Sequence, residues 1–481
     1  MPGLAAAAML TAFAGCGAEP AAPASGEAPD LTADARALMA SPISRVSGRA
    51  PSGKQLFERA FPHTNGRSCA TCHVLDEATT LRPASVEARF RADPADPLFS
   101  RLDADDPAAA TPTFAHLAKG LVRVVLPLPD NMDVIDFDGQ VVTPADRTIA
   151  VWRGVPSVAN TAYTAPYQLD GRAASLPEQA QGAITAHSQG PNVSRRDLDR
   201  IAFFEGGEFS SGRAAFVGAM IELGVPPADI PVPEKHVSFT APQRRGRAVY
   251  DAACAACHGG ATTSKIVNPE VQAFFFPALD ADGNVKFDVV PGQGPVPQHV
   301  ARPGVEIVNV GYGITTYFGQ IGVAPAFNSS VELPRYRFRF YQDGTRQQRV
   351  VDLPPVPRTV SGNPLDPRPA LDDRGAPIVG PNLIPQLFTT DPGRAAITGD
   401  PADFEAFDVP QLRGIALTAP YFHDNSHETL RDVVDTYSRF VLPAIPAMAL
   451  PAVNPPEHPG TPPESLSPAQ KDDLLAFLQV L

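Results

Sequence analysis

CATCH, residues 69–73, and CAACH, residues 254–258, are two copies of one pentapeptide in a chain of 481 residues. CxxCH is a signature of c-type haem attachment: the two thiols form thioethers to the porphyrin vinyl groups, and the adjacent histidine supplies an imidazole to the iron. The spacing therefore assigns Cys69, Cys72, Cys254 and Cys257 to two covalently bound haem c groups, with His73 and His258 as proximal iron ligands. Two CxxC pairs also suggest a zinc site, but structural zinc pairs usually lie closer together, and here each pair carries its own histidine. A redox dithiol has no need of that histidine.

The surroundings of the two motifs repeat as well. PSGKQLFERAF (51–61) offers Ser52 as a helix cap and apolar residues at helical spacing just before CATCH, and SFTAPQRRGRAVYDA (238–252) puts a helix just before CAACH. Helices are also predicted for SRRDLDRIAFFEG (194–206) and for the last segment, where Ser467 caps, Pro468 fits the first turn, and Leu474, Leu475, Phe477 and Leu478 share a face. A second repeat is more informative. VPSVANTAYTAPYQLDGRAASLPEQAQGA (155–183) aligns without gaps to VPQLRGIALTAPYFHDNSHETLRDVVDTY (409–437). Each half thus holds CxxCH, then a TAPY loop and a helix, the mark of a tandem duplication. The CxxCH-to-TAPY spacing is longer in the second half, and within the excess RYRFRFYQDGTRQQRVVDL (335–353) reads as a β-hairpin around Asp343-Gly344.

Bulk properties frame this plan. The length favours two domains, and 54 prolines imply irregular connections and few long strands. A net charge of −13 argues against nucleic acid and suits a small basic partner such as a cytochrome. The fifth cysteine, Cys16, follows the apolar opening MPGLAAAAMLTAFAG, which resembles a bacterial lipoprotein signal; a plain secretory signal is the alternative. Either way the chain reads as exported, to the periplasm or cell envelope, touching a membrane only through a lipid anchor at Cys16. The expected organisation is a signal over 1–16, a disordered Pro/Ala tether over 17–50, a first cytochrome c domain over 51–235, and a second over 236–481 with an insertion at about 265–400. The fold class is mainly α.

With these residues in place, the sequence resembles the bacterial di-haem cytochrome c peroxidase family, which includes MauG. The resemblance rests on CATCH, APYQLDGRAASLPEQA (165–180), QRRGRAVYDAACAACH and VPQLRGIALTAPYFHDNSHETL (409–430). It implies two helical cytochrome c domains, hydrogen peroxide reduced at the first haem, and electrons received through the second from a small cytochrome c or cupredoxin. It leaves a homodimer open. The family's LxEQA pattern places Gln179 over the first haem. The catalytic Glu that follows about ten residues later in the family is missing from GAITAHSQG (182–190), where His187 or Gln189 lies nearest and His187 is the substitute suited to proton relay. For the second haem, Tyr437 occupies the sixth-ligand position as in MauG, with Met448 the alternative; the internal alignment sets Ala183, which has no ligating atom, opposite Tyr437. His116 is a candidate removable ligand for the first haem. The family also holds one calcium ion between its domains, for which Thr418 and Pro420 match the backbone-carbonyl positions, although its Asn ligand is Gly154 here. Leu169 replaces the inter-haem Trp. Two further readings stay beside peroxide reduction: MauG-like or oxygenase-like oxidation of another substrate, and pure electron transfer with both irons closed.

Overall fold

The computed structural model describes residues 51–264, 278–291, 294–298, 307–309, 333–355, 359–362, 368, 370–378, 388–442 and 464–481. The proposed signal and tether, with Cys16, and Met448 lie outside the described residues. Helix α1 (Gly53–Glu58) starts at Ser52, whose hydroxyl accepts from the Gln55 amide while the Gln55 side chain returns to the Ser52 N–H. These reciprocal bonds satisfy amides that a helix start leaves orphaned. After CATCH come α2 (Pro83–Ala92) and the strands β1 (Leu121–Pro127), β2 (Met132–Ile135) and β3 (Thr148–Gly154). The TAPY loop leads into α3 (Leu176–Ala186), then α4 (Arg195–Gly206), α5 (Gly212–Glu222) and α6 (Ala241–Ala253), which runs into CAACH. The insertion contributes β4 (Phe287–Val290), β5 (Gly294–Pro297), β6 (Ile307–Asn309), β7 (Arg337–Tyr341) and β8 (Arg349–Leu353). The chain closes with α7 (Ala395–Thr398), β9 (Ala406–Asp408), α8 (Leu430–Thr436) and α9 (Pro468–Leu478). The protein is thus helical with some strands. Among the described residues no helix is long and apolar enough to cross a membrane.

The two halves are built on the same helix crossing. A Cβ on Gly53 would stand 2.0 Å from the Arg200 carbonyl oxygen, and one on Gly246 would stand 1.8 Å from that of Asp473. Only glycine lets α1 meet α4, and α6 meet α9, at this range. Setting Arg200 on Asp473 brings the caps Ser194 and Ser467 into register, along with the buried pair Ile201 and Leu474 and the aromatic pair Phe204 and Phe477. The rings pack alike, Phe204 on Phe57 at 5.1 Å and Phe477 on Tyr250 at 5.2 Å. One step later the halves part: Glu205 stands where the other half has Leu478.

The gapless 155–183 and 409–437 repeat is also a repeat of backbone. Both copies hold a cis proline, Ala165–Pro166 and Ala419–Pro420, and matching left-handed residues, Asn160 with Gly414 and Gln168 with Phe422. Each closes through one bridge, Tyr167 with Ala173 and Tyr421 with His427, and each opens its helix on a hydroxyl cap, Ser175 or Thr429.

The predicted hairpin forms, as β7 and β8, but the insertion is not confined to the second half. Strand β7 pairs on its other edge with β2, Met132 opposite Phe340 and Ile135 opposite Arg337, giving the order β2-β7-β8. An isolated hairpin is marginal in water. Here Phe338, Phe340, Val351 and Leu353 share one core with Leu126, Met132, Ile149 and Phe404. The first half, read from sequence as helical, adds its own antiparallel pair, β1 with β3, whose β-branched runs LVRVV and TIAVW suit a sheet.

Candidate functional site

Each CxxCH forms a tight turn that carries both thiols and the imidazole. The His73 amide donates to the Cys69 carbonyl at 2.9 Å, and the His258 amide to that of Cys254 at 2.8 Å. Burial pushes the Cys69, Cys254 and Cys257 thiols up to about 12 and Cys72 up to about 11. With no metal beside them, such thiols stay protonated. Among the described residues no group of three or more His, Cys, Asp or Glu side chains is placed to hold a metal ion, so the two CxxC pairs do not join in a zinc site.

The imidazoles are oriented alike. His73 Nδ1 lies 3.0 Å from the Thr79 carbonyl oxygen, and His258 Nδ1 lies 3.0 Å from that of Pro410. A carbonyl only accepts, so Nδ1 carries the proton and Nε2 keeps a lone pair for iron. Burial lowers both pKa values, that of His258 to about 4, so the rings stay neutral as ligands must. A pair of threonines missed by the sequence reading ties these turns to the repeat. Thr79 and Thr263, both at positive φ, accept on Oγ1 from the amides of Val158 at 2.9 Å and Leu412 at 3.0 Å. Val158 and Leu412 are equivalent positions of the 155–183 and 409–437 segments. Part of the signal was present: Ala-Thr-Thr follows both motifs, at 78–80 and 261–263, but the bonding threonine is the first of the pair in one copy and the second in the other.

On the opposite side the halves differ. Gln179, Ala183 and His187 are four residues apart along α3 and its C-cap, so they share one face. Gln179 and His187 are half-buried. Burial is the main cause of the lowered His73 pKa, but His187 also contributes, so the fold brings the two rings within electrostatic reach. In the second half the matching positions hold Val433 and Tyr437. Tyr437 packs in the cluster that contains Cys254 and Cys257, and its ring lies parallel to Phe422 at 6.4 Å. Burial, and then the two thiols, raise its phenol pKa, so only a cation beside it would favour the phenolate. Tyr437 also opens a π-turn over Tyr437–Val441, a distortion common at functional sites.

Buried ion pairs brace both turns. Arg67, just before CATCH, meets Asp103 at 2.5 Å, with both side chains at most 2% exposed. Arg413, in the second repeat, holds Glu234 through Nε–Oε1 at 2.9 Å and Nη2–Oε2 at 2.8 Å, and also donates to the Ala261 carbonyl beyond CAACH.

His116 is buried, with Nδ1 2.7 Å from Asp105 Oδ1 and its ring stacked on Trp152 at 4.2 Å. Thr418 precedes the cis Ala419–Pro420 bond of the second TAPY loop. Gly154 is filled from across the interface: a Cβ there would stand 2.2 Å from Asn425 Oδ1, while the Asn425 amide donates to the Lys119 carbonyl at 2.9 Å. An asparagine side chain thus does reach the Gly154 position, but from residue 425. The Leu169 carbonyl accepts from the Asp408 amide at 2.8 Å, beside Phe407, whose ring stacks on His423 at 4.4 Å.

Residues 49–202 match the family model of the di-haem cytochrome c peroxidases. A cytochrome c551 peroxidase of Nitrosomonas europaea is 50% identical over 50 residues, which are 10% of this chain and 15% of that protein. A cytochrome-c peroxidase of Denitromonas iodatirespirans is 48% identical over 50 residues, 10% of this chain and 14% of that protein. The chain thus spans only a small part of the length of the curated relatives it matches. Among solved structures, the match to a MauG-like protein associated with microbial copper homeostasis covers 91% of each chain at 17% identity, with a TM-score of 0.34.

Proposed function

Since the chain belongs to the di-haem cytochrome c peroxidase and MauG family, we propose that it is an exported di-haem c-type oxidoreductase that reduces hydrogen peroxide at the CATCH site with electrons received at the CAACH site. The observation that carries this reading is the pairing of Ala183 with Tyr437 on equivalent helices, one without a ligating atom and the other with a half-buried phenol beside the CAACH cysteines.

The donor set fits two haems: neutral imidazoles with Nε2 available, protonated thiols for thioether formation, and apolar side chains around each turn. When bound, haem supplies an iron that binds peroxide and carries the electrons. Thr79 and Pro410 hold the tautomer of His73 and His258. The Gln179 amide orients peroxide on the α3 face. His187, near His73 and kept neutral mainly by burial, accepts a proton from peroxide and returns it to the departing oxygen. Tyr437 would hold the second haem as phenolate and so lower its potential. Thr418 and Pro420 carbonyls, with Asn425 in place of the family's residue at 154, are the oxygen ligands offered to one calcium ion. A small cytochrome c or cupredoxin delivers electrons, in the periplasm or cell envelope.

A second reading, oxidation of another substrate in the manner of MauG, is favoured by Tyr437, by Leu169 and by the missing glutamate in 182–190. Steady-state assay with reduced cytochrome c and peroxide separates the two. Peroxide-dependent oxidation of the cytochrome is the expected result. A haem-loaded protein that consumes peroxide but leaves the cytochrome reduced would favour the second reading.

A further inference from the structure

Glu205 is a carboxylic acid in a place built for a leucine. It sits on the inner face of α4, 3% exposed, next in the chain to Phe204, which packs on Phe57. Its Oε2 is buried without a hydrogen-bond partner. The equivalent position in the other half is Leu478, a core residue. No arginine, lysine or histidine among the described residues pairs with Glu205. The titratable groups that face it are Cys69, from the CATCH turn, and Tyr167, from the TAPY loop, and both feel its charge. The backbone is fixed around it: the Thr161 hydroxyl donates to the Glu205 carbonyl at 3.0 Å, and the Tyr167 hydroxyl donates to the Thr161 carbonyl at 3.0 Å. Burial without a cation pushes the carboxyl up to about 8. Tyr167 is pushed up to about 12, mainly by burial, and Cys69 no longer titrates once it is a thioether. Glu205 is therefore the member of this group that changes charge near neutral pH.

We propose that Glu205 stores a proton for the first haem site, binding it when an electron arrives beside Cys69 and releasing it when the electron leaves. The step balances: one electron from the donor protein and one proton from solvent enter together, and the Glu205 carboxylate becomes a carboxylic acid. The second half, with Leu478, has no such group. A carboxylate beside the thioether edge stabilises the oxidised site, so raising the pH through the Glu205 titration lowers the potential of the first haem.

This inference rests on haem being attached at Cys69 and Cys72. The test is spectroelectrochemical titration of both haems across neutral to alkaline pH in the holo-protein, in Glu205→Gln and in Glu205→Leu, with haem attachment counted by mass. In the unsubstituted protein the first haem's potential falls with pH, and both variants lose that slope with two haems still attached. Two attached haems with an equal slope in wild type and variants overturn the assignment to Glu205. Absence of haem at Cys69 overturns the haem reading itself. Should the variants fail to fold, redox-difference infrared spectra of the unsubstituted protein decide. A protonated carboxyl band that appears on reduction of the first haem supports the proposal, and no carboxyl band contradicts it.

Discussion

Replacing Ala183 with tyrosine is expected to remove nearly all peroxide turnover while both haems stay attached. Ala183 is the counterpart of Tyr437 in a repeat whose backbones agree from the cis proline to the helix cap. On the proposed reading the new phenol would face the first haem as Tyr437 would the second, and peroxide would have to displace it. Ligation worth about 3 kcal/mol leaves the iron open roughly 1% of the time, so turnover falls on the order of 100-fold. Ala183 is half-buried on α3. Haem content by mass and the steady-state peroxide assay check this. Full turnover in a haem-loaded Ala183→Tyr protein would mean that this face of α3 does not cover the reacting position.

The second large effect is on stability. Glu234→Leu should destabilise the second half by about 3–5 kcal/mol, because it leaves the guanidinium of Arg413 buried without its anion. Arg413 is 0% exposed and Glu234 3%, and the two make a bidentate pair, with the partly exposed Arg213 3.3 Å away on the other side. Arg413 also holds the Ala261 carbonyl, so the loop after CAACH loosens with it and covalent attachment of haem at Cys254 and Cys257 should be the less complete. Adding Arg413→Met should recover much of the loss, since an apolar pair of similar volume avoids the desolvation of both charges. Denaturant unfolding of the single and double variants is the measurement; an additive double variant would contradict the pairing argument. The same pair sets an acid limit. Burial alone would push the Glu234 carboxyl up, but the Arg413 bonds and charge outweigh it and hold it below the ordinary carboxylate value. Its contribution is therefore present above the unfolded carboxylate pKa and is lost as pH falls through the lowered folded value.

What the sequence disclosed is what local rules control. The Ser52, Ser194 and Ser467 caps, the helices before each CxxCH and the β7–β8 hairpin depend on neighbours a few residues apart, and each formed where the pattern placed it. The 155–183 and 409–437 repeat was legible because both copies keep the residues their backbone needs. The pairing of β2 with β7 was not, since it joins Met132 to Phe340 across the chain and short strands carry little periodicity. Glu205 was hidden for a related reason. In IAFFEG a glutamate after two phenylalanines reads as the edge of an apolar stripe, and only the Gly53–Arg200 crossing shows that it turns inward. Likewise Gly154 reads as a lost ligand until Asn425 is seen to reach it from the other half.

The central claim is that two similar haem sites differ in one distal residue, Ala183 or Tyr437. EPR of the oxidised holo-protein, with and without peroxide, in the unsubstituted chain and in Tyr437→Phe, tests it most directly. The account predicts one haem whose spectrum responds to peroxide and one that does not, with Tyr437→Phe changing only the second. Two low-spin haems indifferent to peroxide, or a second haem unchanged in Tyr437→Phe, would contradict it.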